Sequence, residues 1–298
     1  MFLVCSRDWF ILLVLVAMAS HRIMAYTLQN KRVLVTGAGR GIGRAVALIC
    51  AEEGAKVAIV SRSLNELKET ESLILKNNCN TEQNDGVLVM KCDVTNVEEV
   101  ESTVSDIVSK WGGIDVLVNN AGSSQPAKVP LQKIPSIDLK NLLDINVVAV
   151  HTVTSAVLRH SMLAVGSGQI VNISSRAGKM GIPTYSAYVT SKFALEGMTA
   201  SLSKELKDTD IRVNTLSPGM VNTRSFPKED GRPGVRTPES IRDSFLTLLQ
   251  SGKTGHYIHA DELDMVLQNN SNNNNDDDDD DPNVNQALKP IDEPKFTI

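Results

Sequence analysis

Three side chains in one short stretch have the types and spacing for proton transfer to a carbonyl oxygen: Ser175, Tyr188 and Lys192. Tyr188 and Lys192 are four apart, so on a helix they share a face, one turn above the other. A phenol titrates near pH ~10 and is a poor acid–base group at neutrality. An ammonium one turn away is expected to favour the phenolate and lower that value. The Ser175 hydroxyl can hold a substrate oxygen by a hydrogen bond. Tyr185, in the same stretch, has Val189 instead of a cation four residues on, and reads as a packing or substrate-lining residue. Alone, a Tyr-x-x-x-Lys spacing also describes an ordinary amphipathic pair, so its weight comes from its companions.

The first companion is a glycine-rich turn, Gly37-Ala-Gly-Arg40-Gly41-Ile42-Gly43. It follows the β-branched run Lys31–Thr36 and opens a helical segment. Such a turn lets a dinucleotide pyrophosphate approach the backbone, where a helix N-terminus holds it. About 20 residues on, NAD-binding chains of this kind offer an acid to the ribose hydroxyls. Here Ser61 and Arg62 stand there, with no acid nearby in sequence, and Arg40 sits inside the turn. Two guanidinium groups suit a 2′-phosphate, so NADP(H) is expected over NAD(H).

These groups need a scaffold, and the chain alternates strand-like and helix-like segments throughout. The strands are read at Lys31–Thr36, Val57–Val60, Val87–Cys92, Ile114–Val118, Gln169–Ser174, Ile211–Leu216 and Gly255–His259. Helices are read from Gly41, from Ser63 with Glu66 at its capping-box position, over Thr95–Trp111, over Ile137–Leu163, around Tyr188 and over Pro238–Ser251. This pattern gives an α/β fold, a single Rossmann-like, doubly wound parallel sheet with helices on both faces. Ser175 then falls at the C-terminal end of a strand, where such sheets place ligands.

The chain has 298 residues, 42% apolar, and a net charge of −5. From Ala260 onward lie 11 of the 35 acidic residues and 2 of the 30 basic ones, so residues 1–259 carry 28 basic against 24 acidic. The acidity belongs to the tail, and no basic stripe argues for nucleic acid. Cys5, Cys50, Cys79 and Cys92 form no Cys-x-x-Cys pair, and no metal site is expected. Cys50 and Cys92 read as small core residues, and a pairing that involves Cys79 stays open. Residues 269–298 hold an Asn-rich run and six consecutive aspartates, Asp276–Asp281, and are expected to be a disordered tail.

Residues 1–30 are expected to form a hydrophobic leader or a membrane anchor. Its apolar run, residues 9–19, is short for a membrane span, which needs ~20 residues. It suits a signal-peptide core, with Ala17-Met-Ala19 as a cleavage-like site. The basic residues His21, Arg22, Lys31 and Arg32 follow the run and favour a cytosolic downstream domain. The expectation is membrane association through residues 9–19, at the endoplasmic reticulum with the domain of residues 31–268 facing the cytosol. The alternatives are a cytoplasmic protein or one in the secretory lumen.

Together the motifs resemble the short-chain dehydrogenase/reductase family over roughly residues 31–266. The matching pieces are Thr36-Gly-Ala-Gly-Arg-Gly-Ile-Gly43, Asp93-Val94, Asn119-Asn-Ala-Gly122, Asn146, Ser175, Tyr188-x-x-x-Lys192 and Pro218-Gly219. The resemblance implies a hydride-transferring oxidoreductase with Asn146, Ser175, Tyr188 and Lys192 as catalytic residues. Tyr188 would be the proton donor in reduction. Lys192 would bind the nicotinamide ribose and depress the Tyr188 pKa. Ser175 would orient the carbonyl, and Asn146 would hold a water linking Lys192 to solvent. Asp93, beside Val94, would accept from the adenine amino group. Asn120, Ala121 and Gly122 would pass the cofactor ribose, and Val221 and Thr223, after Pro218 and Gly219, would engage the carboxamide.

Two departures from the family pattern stand out. The segment between Thr223 and Pro238 is short for a substrate lid, and the last strand lacks the usual glycine pair. A homodimer through the Asn146 and Tyr188 helices is expected. The functions that compete are an NADP-dependent carbonyl reductase or alcohol dehydrogenase, acting on 3-oxoacyl, retinoid, steroid or similar lipid-like substrates, and a catalytically silent NADP-binding interaction protein. An isomerase or dehydratase on the same fold is a third.

Overall fold

The computed structural model of the protein describes residues 28–77, 86–224, 227–228, 232–272 and 287–291. The apolar run 9–19, Cys5, Cys79 and the aspartate run lie outside the described residues.

Among the described residues, eight strands form one sheet in the order β3-β2-β1-β4-β5-β6-β9-β10. They are β1 (Arg32–Thr36), β2 (Lys56–Ser61), β3 (Val87–Lys91), β4 (Val116–Asn119), β5 (Ser167–Ile173), β6 (Asp210–Ser217), β9 (His256–His259) and β10 (Leu288–Pro290). Two short strands, β7 (Met220–Val221) and β8 (Val235–Arg236), pair with each other. All pairings are parallel except β9 with β10.

Strand periodicity builds the two faces. Val33, Val35, Val57 and Ile59 pack on one side with Val46, Ile49 and Cys50 of α1 (Gly41–Glu52) and Phe245 of α6 (Arg242–Gln250). Leu34, Ala58 and Val60 point the other way, onto Val104 and Ile107 of α3 (Val97–Trp111) and Val153 and Val157 of α4 (Ser136–Val165). Both faces of the central strands are therefore buried, as parallel sheets require. The strand order turns round between β1 and β4, which opens a crevice at their C-terminal ends. The remaining helices are α2 (Leu64–Asn77), α5 (Ser186–Glu205) and α7 (Ala260–Asn272).

Helix α4 has 30 residues and an apolar composition long enough to cross a membrane, yet half of its most apolar window is buried inside the domain. It widens to i→i+5 hydrogen bonding at Asp144–Val148, where Ala149 N–H reaches the Asp144 carbonyl. Such local widenings are frequent at functional sites. This one carries Asn146.

Three sequence expectations need correction. The domain begins before residue 31, because Leu28 is 2% exposed and packs in the core. Order does not end near Gln268: α7 continues to Asn272, and residues 287–291 return to the sheet. There β10 pairs antiparallel with β9 and buries Ala287 and Leu288. An open parallel edge presents unpaired backbone groups, and a returning strand of either direction can cover it. Finally, the segment between Thr223 and Pro238, for which no strand is read from the sequence, holds β8.

Candidate functional site

The glycine turn builds one end of the crevice. Gly37 and Gly41 adopt φ of 66° and 55°, the left-handed region that favours glycine. A Cβ on Gly43 would lie 2.3 Å from both Asn120 Nδ2 and the Gly37 carbonyl oxygen. Asn120 holds this packing by donating to the carbonyls of Thr36 and Gly37 at 2.9 and 3.2 Å. The Thr36 hydroxyl accepts from the amides of Asn120 and Ala121 at 3.0 and 3.1 Å, which ties the turn to the end of β4. The result is a bare backbone cradle at the N-terminus of α1, the shape a pyrophosphate needs. Across it, a Cβ on Gly41 would meet the Thr223 methyl at 3.2 Å.

The other end holds Ser175, Tyr188 and Lys192. Ser175 follows β5 in an extended conformation, and its Oγ accepts from the Ala177 amide at 3.2 Å. Tyr188 is buried, and the Ser175 hydroxyl interacts with its phenol so as to favour the phenolate. Lys192, one turn along α5, donates Nζ to the Ile173 carbonyl at 2.9 Å, with Nζ 5.8 Å from the Tyr188 ring centre.

The electrostatics differ from the expectation. Burial pushes the Tyr188 phenol up to about 12, against the Ser175 hydrogen bond that lowers it. Burial likewise brings Lys192 down to about 8, opposed by the charge of Glu196. In the protein without cofactor, desolvation therefore outweighs the expected ammonium-to-phenol effect, and both groups are driven toward neutrality.

Asn146 is 1% exposed. Its amide nitrogen donates to the Ser123 carbonyl and the Ser191 hydroxyl, each at 3.0 Å, and its oxygen accepts from the Ser123 amide at 2.8 Å. Its side chain thus braces the loop after β4 against α5.

The 1290 Å³ crevice is lined by Gly37, Arg40, Gly41, Ile42, Gly43, Ser61, Arg62, Asp93, Val94, Asn120, Ala121, Gly122, Ser175, Tyr188, Lys192, Pro218, Gly219, Val221 and Thr223. Asn146 stands just behind this wall. Asp93 accepts from the amide and hydroxyl of Thr95 at 3.0 and 2.7 Å. Burial raises its carboxyl, but those bonds and the Arg62 charge outweigh it, and the net shift is downward.

Between Thr223 and Pro238, Arg224 and Arg236 are held in ion pairs. Arg224 reaches Glu66 at 2.7 Å, and Arg236 reaches Asp261 and Asp264 of α7 at 2.9 Å each. Lys228 and Arg232 line the crevice together with Lys128. Burial, and the charges of Lys128 and Arg232, hold the Lys228 ammonium below its ordinary value.

Two contributors, Gln125 and Glu196, were not singled out in the sequence. Gln125 donates to the Thr184 carbonyl at 3.0 Å and accepts from the Ala187 amide at 3.1 Å. It thereby fixes the entry to α5, where Thr184 takes the unusual φ of 64°. Tyr185 bonds Ser124 through its hydroxyl and lies 5.3 Å from the Tyr188 ring, so it lines the crevice as expected. Glu196 is buried one turn beyond Lys192; it accepts from Ser174 and Thr215 and pairs with Lys179 at 3.1 Å. Only its i,i+4 spacing from Lys192 hinted at this.

The profile of the short chain dehydrogenase family matches residues 31–232. Carbonyl reductase family member 4 of Xenopus laevis is 36% identical over 244 residues, covering 78% of this chain and 97% of its own length. An actinorhodin polyketide ketoreductase solved with NADPH superposes with a TM-score of 0.69 at 28% identity, covering 77% of this chain and 95% of its own. An NAD+-bound xylitol dehydrogenase gives 0.69 at 32% identity, covering 78% and 98%.

Proposed function

The chain belongs to the short-chain dehydrogenase family and is an oxidoreductase that binds a nicotinamide cofactor, and from that premise we propose that it moves hydride between NADP(H) and a carbonyl or secondary alcohol. The observation that carries the reading is the grouping of Ser175, Tyr188 and Lys192 at one end of a crevice whose other end is the glycine cradle.

The residues present fit the cofactor. The turn from Gly37 to Gly43 would hold the pyrophosphate, and Arg40 and Arg62 the 2′-phosphate. Asp93 and Val94 would flank the adenine, and Asn120, Ala121 and Gly122 the ribose. Pro218, Gly219, Val221 and Thr223 would meet the carboxamide. The bound cofactor supplies the hydride.

Everything else falls to this chain. Tyr188 gives its proton to the substrate oxygen in reduction and takes one back in oxidation. Ser175 holds that oxygen in line with the phenol. Lys192 anchors the nicotinamide ribose hydroxyls, and Glu196 supports its positive charge from below. A proton donor placed in this way is worth roughly 10²–10⁴ in rate. Asn146 keeps the loop carrying Ser123 seated.

Substrates of the 3-oxoacyl, retinoid, steroid or similar lipid-like kinds suit the size of the crevice. Among them, the three cations Lys128, Lys228 and Arg232 favour those with an anionic group. We place the domain at a membrane through residues 9–19, with its catalytic part in the cytosol. We also expect a homodimer through α4 and α5, which expose Val148 and Phe193.

A screen of ketones and aldehydes, read by loss of NADPH absorbance, tests the activity. No turnover with any carbonyl, alongside normal NADPH binding, would favour a silent binding protein instead. Recovery of the full chain entirely in the soluble fraction would refute the anchor.

A further inference from the structure

The end of β2 lacks an acid in sequence, yet the fold delivers one from α2. Glu66 stands in the first turn of that helix. The backbone half of the capping box is present, with the Glu66 amide donating to the Ser63 hydroxyl at 3.4 Å. The carboxylate does not complete the box. It turns toward the glycine turn instead, and a Cβ on Gly39 would meet Glu66 Cβ at 2.9 Å, Ser61 Oγ at 3.1 Å and Glu66 Oε2 at 3.3 Å. Its other oxygen, Oε1, accepts from Arg40 Nη1 at 3.0 Å and from Arg224 Nη2 at 2.7 Å. Glu66 is the innermost of the three: its side chain is 22% exposed, against 41% for Arg40 and 71% for Arg224. Glu66, Arg40, Ser61 and Arg62 all line the crevice.

We propose that Glu66 sets the cofactor choice of this chain: Oε2 is offered to a ribose 2′-hydroxyl, while Oε1 occupies two guanidinium groups that a 2′-phosphate would otherwise engage. The inference rests on the crevice holding a nicotinamide dinucleotide with its adenosine ribose beside Ser61. A 2′-phosphate entering there meets Arg40 and Arg62, which attract it, and a carboxylate at contact range, which repels it. The chain therefore takes NADP(H) through its arginines, but with a preference over NAD(H) that Glu66 holds down. A ribose hydroxyl needs an acceptor, and Glu66 is the acid the second strand fails to supply.

The test is direct titration of the full-length protein with NADPH and with NADH, followed by cofactor fluorescence, so no substrate is needed. Glu66→Gln keeps the size of the side chain and removes its charge. It should tighten NADPH about tenfold, the order expected for removing one like charge at a partly exposed site. It should also weaken NADH several-fold, and make NADPH binding more sensitive to salt. Arg224→Gln, on the exposed side of the cluster, should weaken NADPH and leave NADH unchanged. The proposal is overturned if Glu66→Gln weakens NADPH, because the carboxylate would then be ordering the arginines for the phosphate. It is equally overturned if the NADPH/NADH affinity ratio of a folded Glu66→Gln protein equals that of wild type. Wild-type protein that binds neither cofactor overturns the dinucleotide reading itself, a different result from either.

Discussion

Lys192 Nζ lies 5.8 Å from the centre of the Tyr188 ring and is bonded to the Ile173 carbonyl, one helical turn from the phenol it is placed to serve. Both groups are buried and both are driven toward neutrality, Tyr188 up to about 12 and Lys192 down to about 8. At neutral pH the phenol is thus protonated, while Lys192 keeps most of its charge. Anything that adds negative charge or hydrogen-bond acceptors at Nζ will raise the Lys192 pKa further.

The sign of the pH dependence follows. Lys192 titrates at 10.5 when unfolded and about 8 when folded. Between these values the unfolded chain binds more protons, so stability rises with pH. The wild-type melting temperature should therefore climb relative to that of Lys192→Met from pH 8 to pH 10.5, measured by differential scanning fluorimetry without cofactor. Parallel curves would show that the buried amine is not the source.

Tyr188→Phe should reduce turnover by roughly 10²–10⁴, the worth of a placed proton donor, and leave NADPH affinity within about twofold. Single-turnover rates and a fluorescence titration separate the two. A mutant that keeps most of its rate would move the proton donor elsewhere.

Gly43→Ala puts a methyl where 2.3 Å separates it from Asn120 Nδ2 and the Gly37 carbonyl oxygen. Overpacking of this kind costs about 1–3 kcal/mol and forces the turn apart. Urea unfolding should show the loss, and cofactor binding should fall with it. Gly181→Ala, where nothing lies within 4 Å, is the matched control and should change neither.

Arg62 is 71% exposed and stands 3.9 Å from Asp93, a contact that does little for stability. Arg62→Asp should therefore leave the melting temperature nearly unchanged while reducing the catalytic efficiency with NADPH far more than with NADH. Equal efficiency of wild type with both cofactors would undo the NADP preference.

Leu288→Ala probes the returning strand. Its side chain is 6% exposed against β9 and the main core. Loss of a buried leucine costs about 2–5 kcal/mol, less where the site collapses, and this edge site should fall at the low end. Denaturant midpoints compare it with wild type. An unchanged midpoint would mean that residues 287–291 add nothing to the sheet.

Much of this protein was readable from local spacing. Alternating strands and helices gave the sheet, since a helix between two strands forces them parallel. The glycines of the turn and the four-residue step from Tyr188 to Lys192 carry geometry within themselves, so their place in the crevice followed from the chain alone. The strand at Leu288 was not readable, because three residues after an aspartate run carry no periodicity. The sheet edge that accepts them is made by β9, near 30 positions earlier.

Which charge meets which is the part that tertiary structure decided. By sequence Glu66 reads as half of a capping box and Arg40 as part of a clamp for a 2′-phosphate, and Arg224 has no assigned partner. They converge because α2 folds back over the glycine turn, across separations of 26 and 158 residues. Burial is likewise a property of the assembled core: the sequence could pair Tyr188 with Lys192, but only the packing around them decided that desolvation outweighs their mutual attraction.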